Sequence, residues 1–118
     1  MFKLKTNAVV EKSKEFAIRI VNLYKYLTSE KSEWILSKQL LRSGTSIGAN
    51  AREAVRGESK PDFYHKLNVS LKEAEETAYW IELLYEGKYI SKVQFDSIYK
   101  DCQEIICLLV SITRNQKI

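Results

Sequence analysis

Glycine and proline are scarce in this chain, with four glycines and one proline among 118 residues. A turn-rich β fold places such residues at its many turns, so their scarcity favours long helices. Apolar residues recur at steps of three and four, which is the spacing of one helix face, and no segment shows the apolar-polar alternation of a strand. The sequence therefore predicts an all-α protein.

Long apolar runs are also missing. No segment approaches the roughly 20 apolar residues of a membrane-spanning helix, and the N-terminal segment 1–14 has no apolar run of signal-peptide length. We therefore expect a cytoplasmic protein with no membrane partner. The cysteines Cys102 and Cys107 point in different directions on one predicted helix, so we expect two reduced, largely buried thiols.

Four helices are predicted, and we treat residues 1–118 as a single domain. The expected spans run from near Asn7 to near Leu27, from after Ser32 to Gly57, from after Ser59 to about Glu86, and from Ser91 through Ile112. The connections near 28–32, 57–60 and 87–91 are short, and short connections make consecutive helices antiparallel neighbours. The predicted architecture is an antiparallel up-down-up-down four-helix bundle.

Polar residues at the predicted starts indicate how the helices are capped. Asn7 and Ser32 are the expected caps of the first two helices, and Ser59 precedes the third. Ser91 and Gln94 have the spacing of a capping box before the fourth helix.

The second helix carries two interior glycines, Gly44 and Gly48, among the small residues Ser43, Ser46 and Ala49. Each glycine costs about 1 kcal/mol of helix propensity relative to alanine. Close packing against another helix is the expected compensation. The tight turn that follows makes the third helix the expected partner.

Three glutamates are expected near the contact between the second and third helices. Because the hairpin turns near residue 58, Arg42 should lie opposite Glu73 and Glu76, with Glu53 nearer the turn. Pairs of arginine and glutamate there would fix the register of the two helices. Acid–base catalysis by the same carboxylates would need a pocket that the sequence does not show.

The chain lacks the residues that cofactor chemistry needs. A di-iron site in a four-helix bundle uses two histidines, and this chain has one, His65. Zinc needs about four ligands, and His65 with Cys102 and Cys107 does not form a spaced set. No nucleophile can be paired with a base. We therefore expect a protein without metal or cofactor that is not an enzyme.

Charge is distributed unevenly. The net charge is +4, basic residues dominate before Pro61, and acidic residues dominate from Asp62 to Glu86. A basic face suits polyanions, whereas the alternative is a solvated surface with opposite charges on neighbouring helices. The candidate binding residues are the cluster Arg52, Arg56 and Lys60, followed by Arg19 and Lys38. The tyrosines Tyr24, Tyr26 and Tyr64 could stack on bases or fill the core.

The fourth helix contains a stretch, Ile105–Val110, that is apolar on all sides. A bundle buries only one face of a helix, so the outer face needs another cover. Self-association is the simplest cover, and Ile106, Leu108 and Val110 are the expected interface residues.

A long motif carries a resemblance to a known family. Residues 39–50 read QLLRSGTSIGAN. The other matching residues are Glu53-Ala54, Ser59, Asp62-Phe63, Lys66-Leu67, Leu71-Lys72-Glu73-Ala74, Glu76-Thr77 and Tyr79-Trp80. The pattern is similar to a bacterial four-helix bundle family encoded in intervening sequences of 23S ribosomal RNA genes. Structural roles are expected for Arg42, Gly44, Gly48 and Asn50 of this motif.

The resemblance implies an antiparallel four-helix bundle that assembles into homopentameric rings with a basic surface, and it supplies no catalytic residues. A more distant relative is the accessory protein of diversity-generating retroelements, which partners a reverse transcriptase and nucleic acid. Two hypotheses follow. The first is an oligomer that binds structured RNA such as 23S ribosomal RNA, and the second is a protein-interaction scaffold without direct nucleic-acid binding.

Overall fold

The computed structural model describes residues 2–114, and within them it contains four α-helices and no strand. The helices are α1 (Phe2–Glu30), α2 (Leu36–Val55), α3 (Lys60–Glu86) and α4 (Lys92–Thr113). They form the predicted all-α bundle, about 46 Å long and 21 Å by 20 Å across.

Contacts between helices establish the antiparallel order. Lys5 of α1 donates to Ser111 of α4 at 2.6 Å, while Arg19, further along α1, meets Asp101, earlier in α4, at 2.5 Å. Each helix packs against its neighbours in the chain, and α4 closes against α1. One end of the bundle therefore collects the start of α1, the end of α2, the start of α3 and the end of α4.

A single apolar core runs along the bundle axis. Its largest fully buried side chains are Phe16, Ile20, Leu27, Leu40, Ile47, Leu67, Ile81, Leu84, Ile105, Leu109, Ile112 and Val9. These residues follow the helical spacing that predicted the bundle.

The start of α1 differs from the prediction. The helix begins at Phe2, and Asn7 is an exposed residue inside it rather than its cap. Upstream of the predicted start, Thr6 is buried and Lys5 donates to Ser111 of α4. These contacts stabilise the additional turn and a half of helix that precedes Asn7.

The predicted cap of α2 at Ser32 is wrong. Ser32 adopts a positive φ of 52° in the connection, and the buried carboxylate of Glu33 binds the start of the helix instead. Its oxygens accept hydrogen bonds from the backbone N–H groups of Ile35 at 3.1 Å, Leu36 at 2.9 Å and Ser37 at 2.7 Å. Burial alone would raise the pKa of Glu33, but these hydrogen bonds hold it below its ordinary value.

Because α2 starts at Leu36, Trp34 and Ile35 lie in the connection, although both fall within the predicted span of this helix. Both are exposed, at 59% and 78% of their surface. The later caps agree with the prediction: Ser59 accepts from the Asp62 N–H at 3.2 Å, and Ser91 forms a capping box with Gln94.

The partner of the small residues in α2 also differs from the prediction. A Cβ atom on Gly44 would lie 2.8 Å from Ile20, and one on Gly48 would lie 3.1 Å from the Ser13 hydroxyl, so both glycines face α1 rather than α3. The contact with α3 uses small polar residues instead. The hydroxyl of Ser70 donates to the Ile47 carbonyl at 2.8 Å.

Candidate nucleic-acid interface

A groove of about 510 Å³ lies between α1 and α2, near the end of α2. Val10, Lys14 and Ala17 line it from α1, and Thr45, Gly48, Ala49, Arg52, Glu53 and Arg56 line it from α2 and its C-terminal cap. The helices come close here because Gly48 packs directly on Ser13. Small side chains leave space in the groove, and three cationic side chains border it.

The charged residues that line the groove are mostly basic, with Lys14, Arg52 and Arg56 beside the carboxylate of Glu53. Within residues 2–114, no ion pair forms at Lys14, Arg52 or Arg56. Glu53 also lines the groove, but its Oε1 binds the ammonium of Lys66 at 2.9 Å. Arg56 caps the end of α2, where a helix dipole favours positive charge. The groove is therefore suited to an anion.

Lys14 was missed by the sequence analysis. Among the basic residues of the first helix only Arg19 was proposed to bind, and the glycines of α2 were assigned to contact α3. The signal was present, because Gly48 must meet a closely packed helix. Had α1 been recognised as that helix, Lys14 would have been a candidate beside Arg52 and Arg56.

The remaining predicted binding residues do not join this groove. Lys60 is exposed in the first turn of α3, close in sequence to Arg56 but outside the groove lining. Lys38 is exposed near the start of α2, which is about 21 Å along the helix from Arg52 at 1.5 Å per residue.

Arg19 has a structural contact that makes it a poor phosphate ligand. Its guanidinium binds the Asp101 carboxylate at 2.5 Å and the Ser97 hydroxyl at 2.9 Å, joining α1 to α4. The positive charge is offset by Asp101, so any phosphate would have to compete with that carboxylate.

Arg42 lies opposite Glu73 and Glu76, the two carboxylates that the sequence placed there. Its Nη1 is 3.3 Å from Glu73 Oε1, and its Nη2 contacts Glu76 Oε2. Glu76 also accepts from the Trp80 indole at 2.9 Å. The Trp80 hydrogen bond, together with Arg42, lowers the pKa of Glu76. Asn50 donates to the Ser46 carbonyl at 2.9 Å within α2.

The three tyrosines proposed for base stacking lie in different surroundings. Tyr64 is buried edge-on to Phe63, so it belongs to the core. Tyr24 is half-buried. Tyr26 lines a separate cavity at the opposite end of the bundle from Arg56.

The all-round apolar stretch of α4 keeps part of its surface outside the core. Ile105 and Leu109 are fully buried, Ile106 and Leu108 are half-buried, and Val110 is 41% exposed. Cys107 is exposed, which contradicts the expectation that both thiols are largely buried, whereas Cys102 is buried. Burial raises the pKa of the Cys102 thiol to about 12.

Cys107 and Leu108 line a shallow groove of about 520 Å³, together with Lys12, Lys100, Gln103 and Glu104. Of the predicted interface residues, Leu108 lines this groove, whereas Ile106 and Val110 are not among its lining residues. Whether another copy covers them stays a prediction.

In the part of the chain that the structure describes, no three histidine, cysteine, aspartate or glutamate residues are placed to hold a metal ion. His65 is an exposed residue of α3. None of the helices in residues 2–114 combines the length and apolar character that crossing a membrane requires.

These features define a small all-α bundle with a basic inter-helix groove and a partly exposed apolar stretch in α4. The chain belongs to the 23S rRNA-intervening sequence protein family, whose model matches residues 5–111. It is also similar to a protein of unknown function from the S23 ribosomal protein family of Bacteroides thetaiotaomicron VPI-5482, known from a crystal structure. The two chains are 57% identical and superpose with a TM-score of 0.92, covering 93% of this chain and 98% of the other. No curated protein matches this chain.

Proposed function

We propose that this chain is a non-enzymatic, oligomeric protein that binds nucleic acid, with structured RNA such as 23S ribosomal RNA as the preferred class. One observation carries the proposal. Lys14, Arg52 and Arg56 border a single groove, and none of them forms an ion pair within residues 2–114.

The chemistry of the groove suits the phosphate backbone. Arg52 and Arg56 are four residues apart, so they lie one turn apart on the same face of α2. Each guanidinium can bind two oxygens of one phosphate, while Lys14 supplies a compact positive charge from the other side. Contacts of this kind position a nucleic acid without reading its sequence.

Assembly would strengthen this binding. A single groove offers few phosphate contacts, but several copies held in one oligomer present several grooves to the same RNA. The partly exposed apolar residues Ile106, Leu108 and Val110 of α4 support self-association, and a pentamer is the expected state from the family resemblance. Lys60 is exposed and lies four residues after Arg56 in the chain, so it would extend the basic surface.

A gel shift at increasing salt tests the proposal, with a structured fragment of 23S ribosomal RNA and an unrelated RNA hairpin as probes. Both probes should bind at low salt and dissociate steeply as salt rises, because phosphate contacts release counterions. The variant Arg52→Glu/Arg56→Glu should weaken binding to both probes.

A matched variant, Lys25→Glu/Lys72→Glu, makes the same change in net charge at exposed lysines outside the groove. It should weaken binding less than the groove variant does. Equal loss in the two variants would show that net charge, not the groove, determines affinity.

The second candidate function is a protein-interaction scaffold. The exposed apolar surface around Cys107, Leu108 and Val110 favours it, since such a face can pack on another protein. Absence of RNA binding at low salt would select this function over the first.

A further inference from the structure

A second cavity, of about 570 Å³, lies at the opposite end of the bundle from Arg56, where the α3–α4 connection meets the end of α1. Three tyrosines and three lysines are among its lining residues: Tyr26, Tyr85, Tyr89, Lys31, Lys88 and Lys92. Aromatic rings interleaved with cations are the usual components of sites that bind single-stranded nucleic acid.

A stack of aromatic rings leads into this cavity. Tyr99 stacks on Phe95 with ring centroids 4.7 Å apart, and Phe95 stacks on Tyr85 at 4.6 Å. The interplanar angles are 22° and 26°, so each ring is stacked on the next with a modest tilt. The Tyr99 hydroxyl donates to Glu82 at 2.7 Å, which anchors the far end of the stack.

Tyr85 is the last ring of this stack and a lining residue of the cavity. Among the described residues, Phe95 is the one ring stacked on Tyr85. A nucleobase has the flat shape and the π face needed to continue such a stack.

The lysines around the cavity differ in how far their charge is available. Lys92 binds Asp96 at 3.1 Å, so its charge is partly offset. Lys31 sits over the Tyr26 ring, with Nζ 5.9 Å from the ring centroid, and Lys88 is exposed. Within residues 2–114, neither Lys31 nor Lys88 forms an ion pair, which leaves two cations for a phosphate.

Glu86 also lines the cavity. Its carboxylate repels a continuous run of phosphates, and it can accept a hydrogen bond from an amino group on a base edge. The combination fits one nucleotide better than it fits the backbone of a duplex.

We propose that this cavity binds an unpaired nucleotide, with the base against Tyr85 and the phosphate near Lys31 and Lys88. The ligand chemistry is a nucleobase that carries a phosphate, whether in a single-stranded nucleic acid or as a free mononucleotide. The inference rests on the cavity, its ring stack and its lysines, and it does not depend on the groove between α1 and α2.

The test measures binding of a short single-stranded oligoadenylate by fluorescence anisotropy at one low salt concentration. Abasic oligonucleotide of equal length, a blunt RNA duplex, AMP and inorganic phosphate serve as comparison probes. Oligoadenylate should bind more tightly than the abasic strand, because only the former can stack on Tyr85. Equal affinity for the two strands would overturn the proposal.

The variant Tyr85→Leu removes the ring but keeps apolar bulk, and it should weaken oligoadenylate binding roughly tenfold while leaving the abasic strand unchanged. Tyr79→Leu is the matched control, since Tyr79 is an exposed tyrosine of the same helix outside the cavity. Equal loss in both variants would contradict the assignment.

Tyr85 also packs on Phe95, so each variant is first checked for native helicity by circular dichroism. The charge variant Lys31→Gln/Lys88→Gln provides a test that leaves the ring stack intact, with Lys25→Gln/Lys72→Gln as its control. The cavity variant should weaken both strands about equally, because both carry phosphates. An unchanged affinity in the cavity variant would rule out the phosphate position.

The comparison probes separate the two sources of ligand and the two sites. Competition by AMP but not by phosphate supports binding of a free mononucleotide, and competition by neither, with Tyr85-dependent binding of oligoadenylate, supports a single strand. Binding of the duplex should depend on Arg52 and Arg56 and not on Tyr85. The cavity proposal can therefore be tested even if the groove proposal fails, and the groove proposal can be tested even if the cavity proposal fails.

Discussion

Gly48 packs on Ser13 so closely that a Cβ atom at residue 48 would lie 3.1 Å from the Ser13 hydroxyl and 3.4 Å from its carbonyl carbon. This contact joins α2 to α1 at the groove that Lys14, Arg52 and Arg56 border. The same small residue thus serves the packing of the bundle and the placement of its candidate binding surface.

Replacing Gly48 with leucine should overpack the α1–α2 contact and destabilise the protein by about 1–3 kcal/mol. Thermal denaturation followed by circular dichroism measures the loss. Ala49→Leu is the control, because Ala49 is the adjacent exposed residue and should tolerate the larger side chain within about 0.5 kcal/mol. An unchanged melting temperature for Gly48→Leu would contradict the close contact.

Replacing Glu33 with alanine should destabilise the protein by about 0.5–2 kcal/mol near neutral pH, because the start of α2 loses its acceptor. The folded-state pKa of Glu33 is below the ordinary value of 4.5, so its contribution is present above that value. The contribution is lost as pH falls through the folded-state pKa.

Urea unfolding of the wild type and Glu33→Ala at neutral pH and at several acidic values tests this dependence. The difference between the two proteins should shrink as pH falls below 4.5. Glu30→Ala, at the exposed end of α1, should differ little from the wild type at any of these pH values. A Glu33 effect that is constant with pH would exclude the carboxylate as the acceptor.

The ion pair of Arg42 with Glu76 should contribute only about 0.2–1 kcal/mol, because Arg42 is 48% exposed and water screens the pair. A double-mutant cycle with Arg42→Met and Glu76→Gln measures the coupling. Glutamine at 76 can still accept from Trp80, so the cycle isolates the charge. A coupling of several kcal/mol would show that the pair is far less screened than its exposure indicates.

Replacing Val110 with glutamate should dissociate the proposed oligomer while leaving the helical content intact, since Val110 is exposed on the outer face of α4. Sedimentation equilibrium gives the mass. Val93→Glu is the matched control at the other end of the same helix, where Val93 is 80% exposed. A wild-type monomer at micromolar concentration would refute assembly through this face, and a stable dimer would refute the pentamer alone.

Much of the fold could be predicted from the sequence, because local signals agreed with one another. Apolar residues at steps of three and four predicted the buried helix faces, on which Phe16 and Ile20 lie, and Ser59 and Ser91 indicated two helix starts. The position of Arg42 opposite Glu73 followed from the short turn before α3. In a tight helical hairpin, the residues of the two helices that lie opposite each other can be identified by counting outward from the turn.

Other features depended on packing that the sequence does not encode locally. Gly48 signals a close neighbour without identifying it, so α1 was missed as the partner and Lys14 was missed as a groove residue. Serine is a preferred N-cap residue, so Ser32 was predicted to cap α2, but the carboxylate of Glu33 accepts hydrogen bonds from three backbone N–H groups instead. Arg19 was a candidate until α4 placed Asp101 beside it.

The salt dependence of RNA affinity tests the central claim most directly. The slope of log Kobs against log salt concentration is measured for the wild type, for Lys14→Gln/Arg52→Gln/Arg56→Gln, and for the control Lys25→Gln/Lys72→Gln. If the groove holds phosphates, its variant should bind weakly and lose about one unit of slope for each contact removed, while the control changes little. If the wild type binds RNA and the groove variant shows the same slope as the wild type, this account of the site is contradicted.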